Sequence, residues 1–136
     1  MRRLLLLGAV AALAGCATAG DSEADFVSMM GGSSASEAAR IAARLQDKPL
    51  GSADNPIRTY MPAGQHAYLA RLRCSNGQAP TASRIGSMGA GPYGSIVDAY
   101  QVTCAGASPA SSELHLDMYH PTHTENAAPP GFTIVP

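Results

Sequence analysis

The first sixteen residues decide how much of this chain is available to fold. Arg2 and Arg3 precede an unbroken apolar run from Leu4 to Leu13, and Ala14, Gly15 and Cys16 close it. The two cations hold the N-terminus on the cytoplasmic side of a membrane. The apolar run is too short to span a bilayer, which takes about 20 residues. A charged start, a short apolar middle and small residues at the end make an export signal that the mature protein loses. The fold must then be built from the rest of the chain, in a compartment where thiols oxidise.

Leu13-Ala14-Gly15-Cys16 resembles the bacterial lipobox, a Leu followed by two small residues and a Cys. The small side chains suit a peptidase cleft, and Cys16 supplies a thiol for thioether attachment. The resemblance implies diacylglycerol on the Cys16 sulfur, cleavage before Cys16, and acylation of the new amine by a fatty acid such as palmitate. Residues 1–15 are then a lipoprotein signal peptide and residues 16–21 a lipidated tether. Several acyl chains anchor a protein stably, because each buried methylene adds ~0.8 kcal/mol whereas one chain binds only marginally. Ala17 stands where Gram-negative lipoproteins retained in the inner membrane carry Asp. This points to the periplasmic face of the outer membrane.

Removing Arg2 and Arg3 takes the basic count from nine to seven against ten acids, a net charge of about −3. No basic block is present, so no nucleic-acid partner is expected. The expected partners are the lipid bilayer, through acylated Cys16, and an envelope protein or the cell wall. With Cys16 taken by lipid, Cys74 and Cys104 remain. Two cysteines in an oxidising compartment pair, and their spacing is not the C-x-x-C of redox chemistry. A structural disulfide is expected.

Ser22-Glu23-Ala24-Asp25 offers a helix start, Phe26, Met29 and Met30 follow at helical spacing, and Gly31-Gly32 would stop the helix. Ser34-x-x-Glu37 is a capping box. Behind it Ala38, Ile41, Ala42 and Leu45 share one face, and Pro49 and Gly51 end the helix. After Gly51 the period changes to two. Ile57 to Met61 and Gln65 to Cys74 read as a hairpin around Pro62-Ala63-Gly64. Residues 75–95, rich in Gly, Ser and Pro, read as a long surface loop. Ile96 to Cys104, Glu113 to His120 and Phe132 to Val135 read as further strands. Cys74 and Cys104 each close the C-terminal end of a strand, so a bridge between them implies that these strands are not a tight hairpin pair.

The expected fold class is α+β. One or two short N-terminal helices, over residues 22–50, lead into a small, mostly antiparallel sheet of about five strands, over residues 51–136, braced by one disulfide. The stretch from Gly51 to Ile134 resembles an uncharacterised type of small bacterial lipoprotein or exported protein. Asn55-Pro56-Ile57-Arg58, Ala67-Tyr68-Leu69-Ala70-Arg71-Leu72-Arg73-Cys74, Gly91-Pro92-Tyr93-Gly94 and Asp117-Met118-Tyr119-His120-Pro121 carry the resemblance. It covers about two-thirds of the chain and implies no activity.

Three candidate sites stand out. His115, Asp117, His120 and His123 pair imidazoles with a carboxylate, a donor set that suits zinc or copper, but no H-E-x-x-H spacing is present. Ser95, His66 or His115, and Asp98 compose a hydrolase triad on paper, without a G-x-S-x-G elbow. Tyr93, at the tip of a glycine-rich loop, is a candidate binding residue. No catalytic motif and no cofactor motif accompanies them. The function expected is that of a non-enzymatic, membrane-anchored envelope lipoprotein, an interaction or structural module facing the periplasm. The alternatives are a metal-binding lipoprotein and a small periplasmic hydrolase.

Overall fold

The computed structural model describes residues 20–136. Cys16 and the signal segment lie outside the described residues. Among these, the order is α1 (Gly20–Met29), α2 (Ala35–Leu45), β1 (Ile57–Arg58), α3 (Met61–Arg71), β2 (Leu72–Cys74), β3 (Thr81–Ala90), β4 (Ile96–Thr103), β5 (Ser111–Asp117) and β6 (Phe132–Ile134). The fold is α+β. A four-stranded sheet runs in the order β1-β5-β4-β3, and β2 pairs with β6 in a second sheet. The larger sheet is mixed: β1 runs parallel to β5, while β5, β4 and β3 are antiparallel. No helix among the described residues is long and apolar enough to cross a membrane.

The capping box forms at α2, where Ser34 Oγ accepts the Glu37 N–H at 3.3 Å. α1 is already helical at Gly20, the first described residue, so Ser22 lies within it. Its buried residue is Val27, whereas Phe26, Met29 and Met30 remain exposed.

Two readings need correction. Gln65 to Cys74 is not one strand of a hairpin: most of it is α3, and only Leu72–Cys74 is extended. The helical signal is Gln65, Tyr68, Leu69 and Leu72, a stripe at i, i+3, i+4 and i+7. All four are buried. Pro62 stands in the first turn, where a missing N–H costs nothing. The second correction is the long loop. Thr81–Ala90 is a ten-residue strand, paired with β4 and exposed along nearly all of its length.

α3 lays its stripe on one face of the sheet. Tyr68, Leu69 and Leu72 meet Ile57, Tyr100, Val102, Leu114 and Leu116 in the main core, which also holds Phe132 and both paired cysteines. Each large apolar side chain buried there contributes about 1.5–3 kcal/mol. The core admits one polar helix residue, Gln65. Its amide accepts from Tyr100 OH at 2.8 Å and donates to Asp98 at 3.2 Å. Asp98 also takes the Arg84 guanidinium at 2.6 Å.

The Cys74–Cys104 disulfide is present, with Cα atoms 5.7 Å apart. Cys74 ends β2 and Cys104 follows β4, strands of different sheets. The bridge therefore ties the two sheets together, in keeping with the expectation that these strands are not hairpin partners.

A second, smaller cluster holds α2 in place. Ala38 and Ile41 pack on Tyr93, and Ser33 Oγ donates to the Tyr93 carbonyl at 2.6 Å. Here two backbones touch. Gly31 and Gly94 both have positive φ, and a Cβ on either would stand 2.8 Å from the other's carbonyl oxygen. Gly94→Ala should therefore lower the melting temperature, by the cost of a left-handed alanine, about 1–2 kcal/mol, plus the displacement of the Gly31 carbonyl. An unchanged thermal melt would show that this contact does not hold the helices.

Candidate functional site

Strand alternation turns Leu114 and Leu116 toward the main core and His115 and Asp117 to the opposite face, where Ala99 and Val97 are their register partners. Asp117 is the last residue of β5, and its carboxylate has no solvent exposure. A buried carboxylate must have donors. Ser95 Oγ donates to Asp117 Oδ2 at 2.5 Å, and the Tyr119 N–H donates to Oδ1 at 3.0 Å. His120 Nε2 lies 3.3 Å from Oδ2, but the ring is misaligned for a hydrogen bond, so this buried nitrogen has no partner.

The backbone explains why these groups meet. Past β5 the chain keeps company with the segment after β1. The Thr59 N–H donates to the Asp117 carbonyl at 2.8 Å, and the His120 N–H donates to the Thr59 carbonyl at 3.0 Å. His120 is thereby swung against Tyr93, whose ring it meets edge-on at 4.7 Å. The Arg58 guanidinium lies over the same Tyr93 ring, 5.8 Å from its centre. Burial pushes the Tyr93 hydroxyl up; the Arg58 charge works against this, and Asp117 and Glu125 add to it.

One turn further on, His123 Nε2 lies 3.0 Å from Glu125 Oε2. Burial alone would raise the Glu125 carboxyl. Hydrogen bonds from His123 and the Ala127 N–H, with the charges of His123 and Arg58, outweigh it and hold the group below the ordinary range. Tyr68 OH donates to the Ala127 carbonyl, and Arg71 donates to the Glu125 and Val135 carbonyls. α3 thus fastens the extended C-terminal segment beside the site.

The four candidate metal ligands do not converge. Each histidine stands beside a carboxylate of its own: His115 at Glu113, 3.0 Å away, His120 at Asp117, and His123 at Glu125. Among the described residues no group of three or more His, Cys, Asp or Glu side chains is placed to hold a metal ion. The triad fails on order. The Ser95 hydroxyl is bonded to a carboxylate, not to an imidazole that would take its proton. Ser95 is itself fully buried, His66 is exposed on α3, and Asp98 faces the main core with Gln65 and Arg84. Tyr93 is only 2% exposed, so it is a packing centre under α2 and not a free loop tip.

Sequence reasoning missed Arg58. It sits on β1 in register with Asp117 and is partly buried, yet its guanidinium makes no hydrogen bond or ion pair with any described residue. It lines all three of the main clefts. One of these clefts, about 510 Å³, lies between α1, the start of α2 and the turn from Tyr119 to His123. The signal was a lone charge in a strand that ends in a buried core, next to Pro56 and Ile57. No known protein family, no curated protein and no solved structure matches the chain, so the site is read from its own geometry.

Proposed function

We propose that the protein is an envelope lipoprotein, held at the periplasmic face of the outer membrane by acylated Cys16, whose domain binds a partner and performs no chemistry of its own. The observation that carries the anchoring is the segment Arg2-Arg3, apolar run, Leu13-Ala14-Gly15-Cys16. The Cys74–Cys104 bridge supports export, because disulfides persist in oxidising compartments. The buried polar groups support binding over catalysis. Ser95, Asp117 and His120 are nearly inaccessible, and Ser95 and Asp117 spend their bonding on each other and on the Tyr119 N–H.

Gly20 of α1 lies four residues after Cys16, so that stretch of chain can reach at most about 14 Å. A domain tethered this closely rides on the membrane surface and meets partners within a narrow shell around it.

Cys16→Ser tests the anchor. The variant should incorporate no radiolabelled palmitate and should accumulate as uncleaved precursor. Palmitate labelling equal to that of the parent would refute the lipoprotein reading.

A further inference from the structure

We propose that the cleft between α1, the start of α2 and the turn at His120 binds an organic carboxylate with a short apolar body, and that Arg58 takes the carboxylate. The inference goes beyond membrane anchoring and does not depend on it.

Asp117 is the register partner of Arg58, Glu125 feels its charge and Glu23 shares its cleft, and each of these acids accepts hydrogen bonds elsewhere. Asp117 is held by Ser95 and the Tyr119 N–H. Glu125 is held by His123 and by the Asn126 and Ala127 N–H groups. Glu23, on the rim, accepts from Tyr60 OH at 3.1 Å. What is left over is on the donor side. Arg58 keeps its N–H groups free of hydrogen bonds although the side chain is partly buried. Its planar fork matches a carboxylate bidentately. The Tyr93 ring and the Glu125 charge attend the cation, but no described residue hydrogen-bonds its N–H groups, and a ligand carboxylate would supply those acceptors.

The walls define the rest of the ligand. The cleft, about 510 Å³, is of small-molecule size. Ala24 and Val27 of α1, Ala35 and Ala39 of α2, and Pro121 line it, so the walls are mainly apolar and made of short side chains. His120, buried beside Asp117 and with no hydrogen bond at Nε2, stands on the same lining. The shared chemistry, a carboxylate on a short apolar stem, is found in free short-chain fatty acids and in the C-termini of peptides ending in apolar residues.

Calorimetry on the full chain as expressed, in phosphatidylcholine nanodiscs against empty nanodiscs if it is acylated and in plain buffer if it is not, tests this with four probes: hexanoate, hexanamide, N-acetyl-leucyl-alanine and the amide of that peptide. At least one carboxylate probe should bind saturably at one per chain, and its neutral amide at least about tenfold more weakly, as expected when a charge-assisted hydrogen bond is lost. Saturation by hexanoate alone identifies a fatty-acid site, and by the peptide alone a C-terminus site. Arg58→Met should weaken binding at least about tenfold, and Arg58→Lys by less, since it keeps the charge and loses the fork. Ala39→Phe fills the cleft from an exposed position. It should abolish binding with an unchanged melt, so the proposal stays testable if the Arg58 variants unfold. Absence of saturation with both carboxylates would overturn the site. So would amides binding as well as acids, or parent-like binding by Ala39→Phe.

Discussion

Removing both bridging thiols, as Cys74→Ala with Cys104→Ala, should cost about 3–4 kcal/mol of unfolding free energy. The bridge closes a loop with a sequence separation of 30, and in the chain-entropy model that closure withdraws this much freedom from the unfolded chain. The native side adds to it. Both cysteines are 2% exposed within the main core, and they connect the β2–β6 pair to the four-stranded sheet. For a domain of this size, several kcal/mol is a large part of total stability. The check is chemical denaturation of the full chain with and without reductant. The parent should lose stability on reduction and the double variant should be indifferent to it. Equal midpoints for oxidised and reduced parent would show that the bridge is dispensable.

Asp117→Ala should destabilise the domain by about 3–5 kcal/mol, because it removes the acceptor from groups that stay buried. Ser95 Oγ and the Tyr119 N–H would both lose their partner, and the cavity left at a fully buried position adds its own cost. Asp117→Asn separates charge from shape. The amide keeps an acceptor for one donor, so its loss should be clearly smaller. Denaturant midpoints of the two variants give the comparison. If the alanine variant were as stable as the parent, the carboxylate would not be organising the site.

The donor and acceptor count also shows where a sequence stops being readable. α2 was legible because its signals are local: Ser34 and Glu37 are three residues apart, and Ala38 and Ile41 fall on one face of the same helix. β4 and β5 were legible because alternation is local too, and their apolar faces end up in the core. α3 was misread. Its stripe contains a glutamine, and Gln65 counts as core only once Tyr100 and Asp98 are placed against it, residues more than thirty positions away. β3 carries almost no apolar pattern, since both its faces meet solvent; the neighbouring strand β4 makes it a strand.

The same division runs through the site. From the sequence alone came the α+β class, the pairing of Cys74 with Cys104, the helix at residues 35–45 and the closeness of His115, Asp117 and His120 along the chain. Each rests on spacing, counting or short-range hydrogen bonding. Only the tertiary structure decided that Ser95 bonds Asp117, that the histidines divide among separate carboxylates, and that Arg58 stands over Tyr93 with no hydrogen bond to a described residue. The parallel pairing of β1 with β5 sets these relations. It joins segments almost sixty residues apart, and no periodicity within either segment encodes which strand the other will be, because that choice is made by the shared burial of Ile57 and Leu116 in one core.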